Sequence, residues 1–99
     1  MDRLEFQAEF CKCLSDQTRI RMFELLLKNK RMQVSAFQEE LQIPQSKTSR
    51  HLIYMKNIRV MKAEQDGNAV FYFLNPEYLQ LAKDIFRAFK KFEQKQLAK

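Results

Sequence analysis

Apolar positions recur at helical spacing through the first half of the chain. In "RLEFQAEFCKCL", residues 3 to 14, Phe6, Phe10, Cys13 and Leu14 fall three or four apart and Leu4 and Cys11 widen the stripe, which predicts a first helix. "SDQTRIRMFELLLK" predicts a second. Ser15 is its expected amino-terminal cap and Asp16 lies in the first turn, where negative charge suits the helix dipole. Ile20, Phe23, Leu26 and Leu27 supply its buried face, and "NKRM" reads as a polar break. Ser35 and Gln38 then match the S-x-x-Q capping box, predicting a short helix, "AFQEELQ", that buries Phe37 and Leu41. Pro44, whose missing N–H costs nothing in a first turn, opens a fourth helix running to about Lys56. Leu52 and Met55, with Thr48, face inward there, while Gln45, Ser46, Lys47, Ser49 and Arg50 fall on the outward, amino-terminal side. Asn57 suits a left-handed terminator.

The period then changes. "VMKAEQ" and "AVFYFLN" flank Asp66-Gly67-Asn68, a turn signal between two strand-like runs, and predict a hairpin. Pro76 opens a long last helix in which Tyr78, Ala82, Ile85, Phe89 and Phe92 alternate by four and three, broadened by Leu79, Leu81 and Phe86. A stripe so wide exceeds what one small core needs and predicts a partner helix. The chain thus reads as mainly α with a small β-hairpin, in the order helix, helix, short helix, helix, hairpin, helix. That order describes a winged helix-turn-helix.

Composition narrows the class. With 99 residues, 45% hydrophobic and 30% charged, and only 1 Gly and 2 Pro, residues 1 to 99 read as one domain without linker or repeat. A domain this small buries only about two thirds of its unfolded surface, so a homodimer sharing a second apolar layer is a natural supplement. Leu4, Phe6 and Phe10 of the first helix and Tyr78, Leu79, Ala82, Ile85, Phe86, Phe89 and Phe92 of the last are the expected dimer seam. The net charge of +6 is concentrated in the middle, where residues 28 to 62 hold eight Lys or Arg against Glu39 and Glu40. Within it, residues 44 to 62 carry Lys47, Arg50, Lys56, Arg59 and Lys62 and no carboxylate. That is a footprint of the kind nucleic acid attracts, although such a run taken alone is more often a solvated face. No apolar run approaches the roughly 20 residues of a membrane span, and the acidic amino terminus is no signal peptide, so a cytoplasmic protein is expected. Cys11 and Cys13 then read as reduced thiols.

"CLSDQTRIRMFELLLKN", "VSAFQEELQIPQSKTSRHLIYM" and "DGNAVFYFLN" resemble the ArsR/SmtB family of repressors. Members read Ala-Leu-(Ser/Ala)-Asp-Pro-Thr-Arg, then a helix-turn-helix with Ser-x-His-Leu, then a Gly-containing wing ending in Tyr. The likeness covers residues 10 to 76 and, through the outer helices, nearly the whole chain. Gln17 replaces the usual Pro, and "NIRV" is one residue shorter than the usual junction before the wing. The resemblance implies a dimeric transcriptional repressor that covers a palindromic operator.

Groove geometry independently assigns roles. A major groove about 12 Å wide admits one helix, whose amino-terminal residues reach base edges. Gln45 and Lys47 are the base-edge candidates, and Arg50 suits either a guanine or a phosphate. Ser46, Thr48 and Ser49 can donate to phosphate oxygens, Thr48 being equally suited to packing, while Lys62, Gln65 and Asn68 bring the wing to backbone or minor groove. The rival reading is a winged-helix protein-interaction module without an inducer site. RNA binding is weaker, because the "VFYF" aromatics sit on too small a hairpin for a stacking platform.

His51, the only histidine, is expected to pack or hydrogen-bond, since metal needs three or four convergent ligands. The resemblance also locates sensor sites that this chain lacks: Gln33 and Ser35 stand where third-helix thiols would be, and the last helix has Glu77, Asp84 and Glu93 but no His. What remains is Cys11 and Cys13. Two apart on a helix, they point about 200° apart and cannot chelate one ion without a second chain. Across a dimer they could gather a soft ion such as As(III), or form an interchain disulfide; the other reading makes both small core residues. No catalytic constellation is present, so an enzyme is not expected.

Overall fold

Five helices and three short strands make up the computed structural model, which describes residues 2–97. The order is α1 (Arg3–Cys13), α2 (Gln17–Asn29), β1 (Arg31–Met32), α3 (Val34–Leu41), α4 (Gln45–Asn57), β2 (Met61–Asp66), β3 (Ala69–Leu74) and α5 (Pro76–Phe92), with a π-helical turn at Glu93–Leu97. The expected winged helix-turn-helix is therefore present, with one strand more than expected. "NKRM" is not simply a break: Lys30 adopts φ 64 to end α2, and Arg31–Met32 then pair with β3 opposite Phe73 and Tyr72. The antiparallel sheet has the order β1-β3-β2.

Three helix boundaries differ from the expectation, each for a local reason. Asp16, not Ser15, caps α2, its carboxylate accepting the Arg19 N–H at 3.0 Å. Ser15 turns back instead and donates its hydroxyl to the Lys12 carbonyl at 2.6 Å, closing α1. No capping box forms at α3, because the helix leaves β1 at once and Gln33 is the cap, which places Ser35 already inside the first turn. Asn57 is the last helical residue of α4, and the left-handed position falls two later, on Arg59 (φ 67), where the chain reverses between Ile58 and Val60, both turned inward. Asn75 caps α5 by accepting the Glu77 N–H at 3.1 Å, with Pro76 in the first turn as expected.

The core lies where α1, α2 and α5 meet the inner faces of α3, α4 and the sheet. Phe23 is its centre, with Phe10 5.8 Å away on α1 and Phe86 5.7 Å away on α5, ring centre to ring centre. Phe6 stacks on Tyr78 at 4.6 Å. Met22 and Phe37 are wholly enclosed, as are Leu52 and Met55 of α4. Strand alternation turns Met61, Ala63, Tyr72 and Met32 inward and Lys62, Glu64, Phe71, Phe73 and Arg31 outward.

This packing corrects part of the expected dimer seam. Phe10, Ala82 and Phe86 are buried within the chain's own core, so they cannot also face a second copy. Phe6, Tyr78, Leu79 and Ile85 are half-buried, whereas Leu4 (67%), Phe89 (53%) and Phe92 (58%) remain exposed, joined by Leu81.

Candidate nucleic-acid interface

The connection Gln42-Ile43-Pro44 turns α3 into α4, with Gln42 in the left-handed region (φ 56, ψ 47) and Pro44 one residue outside the helix. This joint aims the amino-terminal half of α4 away from the core. Gln45, Ser46, Lys47 and Arg50 are exposed and Ser49 is half-buried. Ile53, three residues beyond Arg50, is exposed on the same helix, and no polar signal marks it in the sequence. No side chain caps α4 at Pro44, so the first-turn N–H groups add the positive end of the helix dipole to this surface.

Thr48 does not belong to that surface. It is fully buried and its hydroxyl donates to the Pro44 carbonyl at 3.0 Å, so its proton is committed to fastening the first turn. Its place follows from the three- and four-residue spacing to Leu52 and Met55.

Charge on the basic stretch is not tied up in ion pairs: among the described residues, Lys47, Arg50, Lys56, Arg59 and Lys62 take part in none. Lys56, Arg59 and Lys62 line a cleft of about 460 Å³ between the end of α4, β2 and the start of α5. Asn75 holds this corner: its side-chain amide donates to the Arg59 carbonyl at 2.8 Å and its backbone N–H donates to the Val60 carbonyl at 3.0 Å.

The wing is less uniform than its sequence implied. Gly67 (φ 63) makes the tight turn, and Gln65 spends its amide on the Gly67 carbonyl at 3.2 Å. Strand alternation places Lys62 and Gln65 on opposite faces, so those two do not form one patch, while Asn68 is exposed at the tip. Two carboxylates, Glu64 and Asp66, share the Lys62 face. Arg31 reaches them from the far side of β3, donating to Glu64 at 2.9 Å and Asp66 at 3.2 Å while lying 3.9 Å over the Phe71 ring. These two bonds raise the Arg31 pKa and offset two negative charges on the face that Lys62 shares.

His51 packs, as expected, at the back of α4. Its Nδ1 lies 3.5 Å from the Arg19 guanidinium and its Nε2 3.9 Å from the Asp16 carboxylate. Burial pushes its pKa below the usual value; Asp16 opposes this, and Arg19, Lys47 and Arg50 add to it. Burial works against the charge of Asp16 too, but the Arg19 backbone N–H and the His51 and Arg19 side chains outweigh it and lower its pKa.

The two cysteines separate cleanly. Cys13 is fully buried, and burial, only partly offset by Arg19, raises its pKa to about 11. It stays a thiol and is removed from the expected sensor pair. Cys11 is exposed, at the edge of a small apolar cleft of about 140 Å³ lined by Phe6, Phe10, Leu81 and Ile85. Among the described residues, no three His, Cys, Asp or Glu side chains converge as a metal site. No helix among them is long and apolar enough to cross a membrane.

An exposed, acid-free helix projected by a tight turn and flanked by a two-stranded wing defines a winged helix-turn-helix DNA-binding protein. No family model matches the chain. It is 35% identical over 74 residues to an uncharacterized HTH-type transcriptional regulator of Methanocaldococcus jannaschii, covering 75% of this chain and 83% of that one. It is also 35% identical over 69 residues to the arsenic resistance transcriptional regulator ArsR1 of Pseudomonas putida, covering 70% of this chain and 54% of that one. The transcriptional repressor PagR of Bacillus anthracis is 32% identical over 72 residues, 73% of this chain and 72% of its own. The crystal structure of PagR superposes with a TM-score of 0.72 at 30% identity, covering 83% of this chain and 94% of that one. The chain belongs to the ArsR family of helix-turn-helix transcriptional regulators. Its relatives are regulators of transcription, not enzymes.

Proposed function

We propose that this regulator is a homodimeric repressor that reads an inverted-repeat operator with α4 and covers a promoter by doing so. The observation that carries the reading is the outward half of α4, with Gln45, Ser46, Lys47 and Arg50 exposed and the five cations of residues 44 to 62 unpaired among the described residues. Gln45 and Lys47 read base edges. Arg50 takes a guanine or a phosphate, Ser46 and Ser49 donate to phosphate oxygens, and Ile53 suits a thymine methyl group. Lys62 and Asn68 serve the wing, and Gln65 serves it through the opposite face.

Leu4, Leu81, Phe89 and Phe92 form the exposed apolar seam that joins two copies through α1 and α5, on a single domain spanning the chain. A twofold axis then sets the two α4 helices in successive major grooves, with half-sites about 34 Å apart. Relief of repression by arsenite, another soft metal ion or an oxidant runs through Cys11, the accessible thiol, with its twofold mate as the second sulfur ligand.

The test is a titration of a duplex selected from a random pool, at graded salt, together with solution scattering of the free protein. A stable monomer at micromolar concentration, or binding indifferent to salt, refutes the reading.

A further inference from the structure

α1 meets the recognition helix through a polar cluster centred on Arg19 of α2. On one side the guanidinium caps α1: Nε donates to the Cys13 carbonyl at 2.9 Å and Nη2 to the Lys12 carbonyl at 3.1 Å. The Lys12 carbonyl also accepts from Ser15, so Arg19 adds a further donor there, and a cation suits that end of the dipole. On the other side the same group lies 4.6 Å from the centre of the Tyr54 ring of α4, with Nη1 3.5 Å from His51 Nδ1. Tyr54 closes the circuit by aiming its hydroxyl at Glu9 of α1, at 3.5 Å. Asp16 fixes Arg19 from behind through its backbone N–H. Each of the three nitrogens of the fork therefore has a neighbour within the protein, and the group is half-buried rather than extended into solvent.

We propose that Arg19 is a positioning residue for DNA binding: it sets the angle of α4 against α1, so that events on α1 are felt at the reading surface. α1 carries the exposed thiol and one end of the exposed apolar seam, so dimer formation or attack on Cys11 acts on the recognition helix through this joint. Arginine is required, because only a planar fork can cap two carbonyls and still stack on a ring. The inference rests on the reading of α4 as the DNA-contacting helix.

The experiment compares wild type with Arg19→Lys, using the duplex that wild type selects from a random pool. Arg19→Lys is expected to weaken binding about tenfold with the slope of log K against log salt unchanged, because no phosphate contact is lost. Hydrogen exchange separates positioning from simple destabilisation. In wild type, DNA should slow exchange in the last turn of α1 as well as in α4, and in Arg19→Lys in α4 alone. Tyr54→Leu removes the ring from the other side and should reproduce both results, which keeps the test decisive if Arg19→Lys does not fold. Unchanged affinity, a shallower salt slope, or α1 protection that survives both substitutions overturns the joint while leaving the DNA reading intact. A wild type that selects no duplex overturns both.

Discussion

Replacing Lys62 by Gln, or Arg50 by Gln, tests the electrostatic half of the proposed function most directly. Five cations per chain, Lys47, Arg50, Lys56, Arg59 and Lys62, are unpaired among the described residues. If between three and five of them meet phosphates, a dimer neutralises about six to ten, and log K should fall with log salt at a slope of about −5 to −9. Raising salt fourfold then weakens binding by about a thousandfold at the shallow end of that range. Each substitution removes two contacts from the dimer and should flatten the slope by about 1.8. Fluorescence anisotropy of a labelled duplex from 50 to 200 mM salt (about the range over which such effects are read) measures both quantities. A wild-type slope shallower than about −2 would refute the reasoning, since it leaves room for roughly two phosphates in all. A normal slope that neither substitution changes would show that other cations make the contacts.

Three further outcomes are expected. Thr48→Val removes the buried hydroxyl bond to Pro44 and should cost about 1 kcal/mol in urea unfolding while leaving the salt slope of DNA binding untouched; a changed slope would return Thr48 to the DNA surface. His51 has a lowered folded-state pKa, so the unfolded chain takes up its proton first and stability should decline as pH falls below about 6.5; melting curves of His51→Gln should lose that part of the decline, and equal declines would exclude His51 as its source. Arsenite or peroxide should release DNA from wild type but not from Cys11→Ser, whereas release from both would place the signal elsewhere.

Long-period features were legible in the sequence. The fourfold and threefold spacing of α5, the outward set on α4 and the Asp66-Gly67-Asn68 turn each repeat a signal over enough residues to be read without neighbours. β1 was not, since two residues cannot show alternation and its partner Phe73 lies far along the chain. Arg31 was invisible for the same reason: its carboxylate partners are 33 and 35 residues away. Ser15 and Asp16 are both good caps, and only the docking of Arg19 on the end of α1 selects the second. Helical spacing placed Cys11 and Cys13 on different sides but could not say which side was the core. The wide stripe of α5 reads as one seam in the sequence, whereas the structure divides it between an inner edge at Ala82 and Phe86 and an outer edge at Phe89 and Phe92.

The strand order β1-β3-β2 has a consequence for solubility. β3, "AVFYFL", is the segment most apt to seed a fibril; β2 pairs with its whole length on one flank and β1 covers Tyr72 and Phe73 on the other. The long open rim is β2, where Lys62, Glu64 and Asp66 alternate outward and make a poor template for another chain. The arrangement places a sticky ribbon in the middle and a charged one at the long border, so the hairpin can project from the protein without inviting its copies to stack.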